Sequence, residues 1–371
     1  MRNLQQYNLK ENPFQYLTAM PGSNDATVIP WSGMPRLYEK IKAVYSDLYN
    51  LKPRQIILNW GPYGGGKTFA AHHFMEKEYD QEEIEMLQVY IRSPKLGNNA
   101  ISEFYKNILT FISFRKIRRQ IQKLLEIFGE DDFFDFLHSR IRSEELVEAI
   151  IKIGSNDEEI QTIMNRYVYS GLTKTELKQV NLAKNIDWGT DSIKFLAGII
   201  HCFIGDQINY KGRFVLWIDE MEDMIYYSQK EYRLFSQILR DLFDSVNQHI
   251  TIFMNFTLAE SEESTIELLL GNALWSRITT KIRFNDLSKT DAILYIKEAL
   301  GQQHINNPQN EFSPFSESLV DLVFEIIPEV AVTPREINRY FGGILTFAQN
   351  KENDITSDLI GEYFSKLSED G

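Results

Sequence analysis

The run Gly61-Pro62-Tyr63-Gly64-Gly65-Gly66-Lys67-Thr68 fits G-x-x-x-x-G-K-[ST], a spacing suited to holding a polyphosphate. Glycines let successive backbone N–H groups turn inward, because a Cβ would block close approach of an anion. Lys67 supplies a cation for the β- and γ-phosphates, and Thr68 a hydroxyl for Mg²⁺. Phe69 carries the loop into the following segment and is counted with it. A second set of residues supplies what such a loop lacks for hydrolysis. Asp219-Glu220 follows the apolar run Phe214–Ile218. Asp219 suits the Mg²⁺ shell, and Glu220 suits the activation of water, a general-base role worth about 10²–10⁴ in rate. Asn255 closes another apolar run, Ile250–Met254, and could orient the water or sense the γ-phosphate, with Thr257 the near alternative and a turn-forming asparagine the plain one.

Each set needs an element to position it. Ile56-Ile57-Leu58 is short, apolar and partly β-branched, so it reads as a buried strand delivering the glycine loop, with a helix from the loop to about Tyr79. A helix at that point directs its positive dipole end at an anion. Leu87–Ile91, Phe214–Ile218, Ile250–Met254 and Lys281–Phe284 read as four more strands. In open α/β sheets, ligands lie beyond the carboxyl ends of strands, where Asp219, Glu220 and Asn255 fall. Leu37–Leu51 has a helical period stopped by Pro53, and Tyr232–Val246 reads as a long helix. Turns are expected at Asn12-Pro13-Phe14 and at 20–25. After Ser288 the pattern is helical throughout, at about 288–302, 315–328, 334–350 and 356–367. Thr333-Pro334-Arg335-Glu336 forms a capping box with proline at the first helical position, which puts Arg335 in the first turn, facing an anion or simply solvent. The fold class expected is α/β: a five-stranded parallel sheet with flanking helices, a long helical insertion and a C-terminal helical lid. The domains expected are an N-terminal extension (1–35), a nucleotide-binding domain (36–286, insertion at about 99–207) and the lid (287–371).

Composition bounds the partners. The chain has 371 residues, 43% hydrophobic and 25% charged, enough for a sizeable core. Lys plus Arg is 39 against 52 Asp plus Glu, a formal charge of −13, which argues against a surface coated in nucleic acid but leaves room for a local basic groove. The single cysteine, Cys202, excludes an internal disulfide, and no Cys/His spacing fits a zinc site. The longest apolar run, Phe195–Gly205, is far short of a membrane span, and no signal peptide is visible, so the cytoplasm is expected and no membrane partner.

Taken in order, Gly61–Thr68, Phe214–Glu220, Asn255, Leu274-Trp275-Ser276-Arg277 before Phe284, and Thr333-Pro334-Arg335 resemble the AAA+ ATPases. The resemblance covers most of 35–371 outside the helical insertion. It implies ATP and Mg²⁺ as ligands, a helical lid, and a homo-oligomer whose ATP sites are shared between subunits. It also implies roles: Asn255 as first sensor, Arg277 as the finger reaching a neighbour's nucleotide, and Arg335 as the lid sensor. The Trp-Ser-Arg-Ile run looks most like clamp-loader and origin-recognition ATPases, and Asn12-Pro13-Phe14 is similar to the openings of bacterial transposition and secretion ATPases. One departure stands out. The family usually has an amide at the end of its second strand to restrain the catalytic glutamate, and here the residues are Tyr90-Ile91-Arg92-Ser93.

A strand–helix–strand crossover needs about 30 residues, and more than that separates Ile91 from Phe214, so extra structure is built there. Within it Arg115, Lys116, Arg118, Arg119 and Lys123 form the dense basic run of an acidic chain. A basic helix face can follow a phosphate backbone. The alternative is a solvated face balanced by Glu126, Glu130 and Asp131. Gly171-Leu172-Thr173 with Glu176-Leu177, then Asp219-Glu220-Met221-Glu222, also looks loosely like a group of bacterial and archaeal ATPases from genome-defence loci, over about 165–225. Tyr226-Tyr227, Phe133-Phe134 and Phe136 read as packing aromatics before base-stacking ones. No nuclease, protease or other effector motif is visible, so the expectation is an ATPase acting on DNA or a DNA-bound partner, with a protein partner supplying the output. The rival is a nucleotide-gated scaffold with slow turnover.

Overall fold

The structure, a computed structural model, describes residues 4–14, 30–50, 54–76, 84–207, 210–258, 263–308, 310–327 and 332–369. The turn expected at 20–25 and the end of the helix expected to reach Tyr79 lie outside these residues. The chain folds into two compact units: 1–42 with 60–78 and 283–371, and 43–59 with 79–282.

The second unit is built on a sheet of six strands: β1 (Arg54–Gly61, whose last two residues count with the first unit), β2 (Glu85–Arg92), β3 (Gly205–Gln207), β4 (Tyr210–Asp219), β5 (Ile250–Thr257) and β6 (Ile278–Arg283). Their order is β2-β4-β5-β1-β6, with β3 off this path. β2, β4 and β5 run parallel, with Ile91 opposite Ile218 and Ile218 opposite Met254. The five strands expected from β-branched runs are therefore present. β3 is an addition, a three-residue strand antiparallel to β4 that ends the stretch expected to be helical as far as residue 207. Strands buried on both faces read as continuous apolar runs, and Phe214–Ile218 is fully buried. Trp217 stacks on Phe253 across β4 and β5 at 3.7 Å between ring centroids. Trp217 Nε1 donates to Tyr45 Oη (3.2 Å), and Tyr45 donates to Gln88 Oε1 of β2 (2.7 Å), so three neighbouring elements are pinned through one buried aromatic group.

The insertion contains seven helices between Ala100 and His201. Breaks are set locally. Ser113 (φ 71°) and Gly129 (φ 78°) leave the helical region, and Thr173 with Glu176 forms a capping box. Phe133 is buried, and the half-buried Phe128 and Phe136 stack against it, so this aromatic group packs within the insertion. Tyr227 is also buried and donates to the Pro94 carbonyl, whereas Tyr226 is 84% exposed.

In the first unit the helices Lys289–Gln303, Glu317–Ile326, Pro334–Lys351 and Ser357–Glu369 enclose a core that includes Leu300, Val323, Phe341, Ile344 and Leu345. Residues 4–14 complete it. Leu9 bridges to His304, Tyr7 donates to the Asn353 carbonyl (2.6 Å), and Phe14 packs on Phe341. Gly342 is needed for that contact, because a Cβ there would lie 2.7 Å from the Phe14 carbonyl oxygen. Among the described residues no helix is long and apolar enough to cross a membrane.

Candidate functional site

Two groups of residues carry the candidate chemistry, one in each unit. The first is the glycine loop. It leaves β1 at Gly61 and enters the helix Lys67–Glu76. Gly61, Gly64 and Gly66 have φ of 156°, 81° and 95°, values that L side chains rarely adopt. At Gly61 a Cβ would lie 2.0 Å from the Phe284 carbonyl oxygen, and at Gly64 one would lie 2.9 Å from Arg335 Cβ. Glycine is thus demanded by backbone conformation and by the close approach of the segment around Thr333–Arg335. Lys67 is 5% exposed, and its Nζ donates to the Gly61 and Pro62 carbonyls at 2.8 Å each. The ammonium is held inside the loop at the start of a ten-residue helix, where the macrodipole also favours an anion. Pro62 and Tyr63 form the outer turn, with Gly65 N–H donating to Pro62 O (3.2 Å). Thr68 is half-buried, and Phe69 packs against Trp31.

Arg335 belongs to the same unit and meets this loop. Thr333 caps its helix as expected: Glu336 N–H donates to Thr333 Oγ1 (3.3 Å) and Thr333 N–H to Glu336 Oε2 (2.9 Å). The Arg335 guanidinium lies 3.9 Å from the centroid of the Tyr63 ring. A lid-helix cation is therefore in contact with the loop that would carry the phosphates.

The second group sits at the carboxyl ends of β4, β5 and β2. Asp219 is 4% exposed. Its Oδ2 accepts from Tyr90 Oη at 2.7 Å; its Oδ1 accepts from Asn255 Nδ2 at 3.2 Å and from Glu220 N–H at 3.1 Å. Asn255 is fully buried and accepts at Oδ1 from Asn59 Nδ2 of β1 (2.9 Å). Burial first, and then the Asp219 charge, push the Tyr90 phenol well above its ordinary pKa, so it stays a neutral donor. Glu220 adopts the left-handed region (φ 57°, ψ 37°), and its Oε1 lies 3.7 Å from Arg92 Nε. Thr257 N–H donates to Glu222 Oε2 (2.9 Å).

The sequence-expected residues thus fall into distinct places. Asp219, Glu220 and Asn255 come together, and Arg335 meets the loop that carries Lys67 and Thr68 at Tyr63 and Gly64. Arg277 stands apart in the second unit. Its Nε and Nη2 donate to the two carboxylate oxygens of Asp244 (2.9 and 2.7 Å), and its Nη1 donates to Ala273 O. In the basic run, Arg118 donates to Ser155 O (3.3 Å) and Lys123 pairs with Glu85 (3.4 Å), while Arg115, Lys116 and Arg119 are exposed. Asn59, Tyr90 and the Arg92–Glu220 pair were not expected as site members. Asn59 had a signal, since it is a polar residue in the apolar run of β1.

The donor chemistry fits the expected ligands. Carboxylate and hydroxyl oxygens suit Mg²⁺, and a glycine loop whose backbone takes positive φ at Gly61, Gly64 and Gly66 suits a polyphosphate.

No family model matches the sequence, and no curated protein is similar to it at the sequence level. Solved structures are similar in fold. The chain is similar to the ORC2 protein of Aeropyrum pernix, solved as ADPNP–ADP complexes, with a TM-score of 0.50 and 11% identity, over 96% of this chain and 72% of that one. At a TM-score of 0.49 and 12% identity it is also similar to A. pernix ORC1 in complex with DNA, over 93% of this chain and 68% of that one. The Drosophila ORC bound to DNA follows at 0.46 and 12%, over 94% and 68%. With its mostly parallel sheet, its glycine loop and its C-terminal helices, this chain has the fold of the AAA+ P-loop ATPases.

Proposed function

We propose that this protein binds ATP with Mg²⁺ and hydrolyses it, and that it does so as an assembly of copies acting on DNA or a DNA-bound partner in the cytoplasm. The observation that carries the reading is the glycine loop with Lys67 buried at its helix start. Lys67 and the loop N–H groups hold the β- and γ-phosphates. Thr68 and Asp219 hold Mg²⁺, which neutralises phosphate charge when bound. Glu220 takes a proton from the attacking water, and Asn255 orients that water or senses the γ-phosphate. Arg335 draws on the γ-phosphate from the lid helix, and Arg277 completes a neighbouring subunit's site. Output passes through a protein partner, and a role in genome defence or mobile elements fits such an arrangement.

Lys67→Ala tests the carrying observation. Removing the cation from the loop should abolish ATP–Mg²⁺ binding by calorimetry, and an affinity within twofold of the unsubstituted protein would sink the phosphate-loop assignment.

The DNA part of the reading is supported by the exposed Arg115, Lys116 and Arg119. Changing all three to Glu should weaken duplex binding and flatten its salt dependence, each lost phosphate contact lowering the slope by about 0.9. An unchanged slope would return this face to ordinary solvation.

A second reading, a nucleotide-gated switch with slow turnover, is favoured by the Arg92–Glu220 pair, which occupies the carboxylate that would activate water. Steady-state turnover with and without duplex DNA at low salt separates the two. Stimulation supports the motor-like reading, and normal ATP binding with no stimulation supports the switch.

A further inference from the structure

We infer that Tyr90 and Asn59 are positioning residues for the metal-binding carboxylate, fixing Asp219 through its two oxygens from the strands on either side of β4 and β5. The inference rests on the proposed ATPase reading and names residues that reading does not contain.

Four neighbouring strands, β2, β4, β5 and β1, supply the arrangement. Tyr90 lies on β2, opposite Trp217 in register, so its side chain comes from the strand directly beside the one that carries Asp219. Its hydroxyl donates to Oδ2 at 2.7 Å, a short bond of the kind made to an ionised acceptor. On the other side, Asn59 Nδ2 donates to Asn255 Oδ1 at 2.9 Å, and Asn255 Nδ2 donates to Asp219 Oδ1 at 3.2 Å. The order matters chemically. An asparagine amide has an accepting end and a donating end. The Asp219 carboxylate accepts from the NH₂ of Asn255, and Asn59, by engaging the oxygen at the other end, reinforces that orientation. Were Asn255 reversed, two oxygens would face each other beside a buried charge.

The placement of Asn59 has a cost that packing does not explain. It sits between Leu58 and Trp60, fully buried, and its own Oδ1 meets no donor among the described residues. A buried acceptor without a partner is destabilising, so an apolar residue of similar size would suit the core better. What the amide supplies is its donor, spent on Asn255.

Tyr90 and Asn59 are both neutral donors. They orient Asp219 without cancelling its charge, so the carboxylate keeps its full attraction for a cation. Each carboxylate oxygen has two lone-pair positions; Oδ1 accepts from Asn255 Nδ2 and from Glu220 N–H, so a cation would meet Asp219 at Oδ2, beside the Tyr90 bond. A carboxylate free to rotate would lose part of its binding energy to ordering on each occupancy. Partners of this kind typically contribute 10–100-fold to metal affinity.

The test uses the full-length chain with Tyr90→Phe, which removes one oxygen and keeps the ring, and Asn59→Leu, which keeps the volume and removes the donor. Binding of a non-hydrolysable ATP analogue is measured by calorimetry across a Mg²⁺ titration and again in EDTA. Mn²⁺ occupancy is read by electron paramagnetic resonance, and urea midpoints report folding. The expected result is an unchanged affinity in EDTA with the half-saturating Mg²⁺ and Mn²⁺ concentrations raised about tenfold or more in each variant. Tyr90→His, which restores a donor, should recover part of the loss. Equal metal dependence in folded variants and the unsubstituted protein would overturn the inference. A change confined to the urea midpoint would also overturn it, making both residues structural. If one variant does not fold, the other decides. Failure of the unsubstituted protein to bind the analogue under any condition would instead overturn the ATPase reading.

Discussion

Glu220→Gln is expected to bind ATP–Mg²⁺ about as well as the unsubstituted protein and to lose at least about a hundredfold in turnover. The amide keeps the shape of the side chain but cannot accept a proton from water, and general-base catalysis is worth about 10²–10⁴. The structure sharpens the expectation. Glu220 is held in a left-handed backbone conformation immediately after a buried strand, and Arg92 lies 3.7 Å from its carboxylate. Both side chains are substantially exposed, so the pair is weakly stabilising and breaking it should leave the fold intact. Arg92→Ala is therefore the informative companion. If the pair restrains the base, turnover rises in Arg92→Ala while it falls in Glu220→Gln. The glutamine variant should accumulate an ATP-bound assembly, visible by light scattering with ATP. Turnover above a tenth of the unsubstituted rate would mean that another residue activates water.

What was legible in the sequence followed from the range of each interaction. Although the packing of Phe284 and Arg335 against it could not be read, the glycine loop is local in residue spacing, backbone conformation and helix start, so the motif could be read without knowing the fold. The same holds for the cap at Thr333, where both hydrogen bonds close over three residues. Strands β1, β4 and β5 announced themselves because strands buried on both faces read as continuous apolar runs, and β2 through the shorter run Leu87–Ile91. β3 did not, since three residues carry too little pattern to separate from the helices before them. Asn12-Pro13-Phe14 reads as a turn. Its burial against Phe341 and Gly342 depends on residues over three hundred positions away.

The candidate site divides along the same line. Asp219, Glu220 and Asn255 could be named because each follows an apolar run, Phe214–Ile218 for the first two and Ile250–Met254 for the third. Tyr90, Arg92 and Asn59 could not be assigned partners, because their roles depend on strand order. Only when β2 lies beside β4 does Tyr90 meet Asp219, and only when β1 lies beside β5 does Asn59 meet Asn255. The departure at Tyr90–Ser93 was visible as a missing amide, but the arginine that engages Glu220 in its place was not.

Arg277→Ala carries the largest expected effect and the clearest choice between readings. Within its own subunit Arg277 is accounted for: two parallel bonds to Asp244 and one to Ala273 O, with the Asp244 hydrogen bond raising its pKa further. If that pairing is its whole purpose, it is a partly exposed ion pair, worth about 0–1 kcal/mol, and its loss shifts stability slightly with turnover unchanged. If Arg277 is a finger, Asp244 instead fixes the guanidinium plane beforehand, so that little freedom is lost when it meets a phosphate. Phosphoryl transfer spreads negative charge over the γ-phosphoryl oxygens, and a guanidinium stabilises it through paired charge-assisted bonds. Fingers of this kind are worth about 10³–10⁵ in rate. The expected result is nearly normal ATP binding with turnover reduced by at least about a thousandfold. Asp244→Asn, which keeps the arginine, should lose far less, whereas a purely structural pair predicts equal effects from either side. Mixing then tests the shared site. In an assembly of Arg277→Ala and Glu220→Gln subunits, some interfaces join an intact Glu220 to an intact Arg277, and activity should partly return. No recovery at any ratio, with mixed assemblies verified by light scattering, would leave Arg277 a structural arginine and remove the shared-site arrangement from the proposed function.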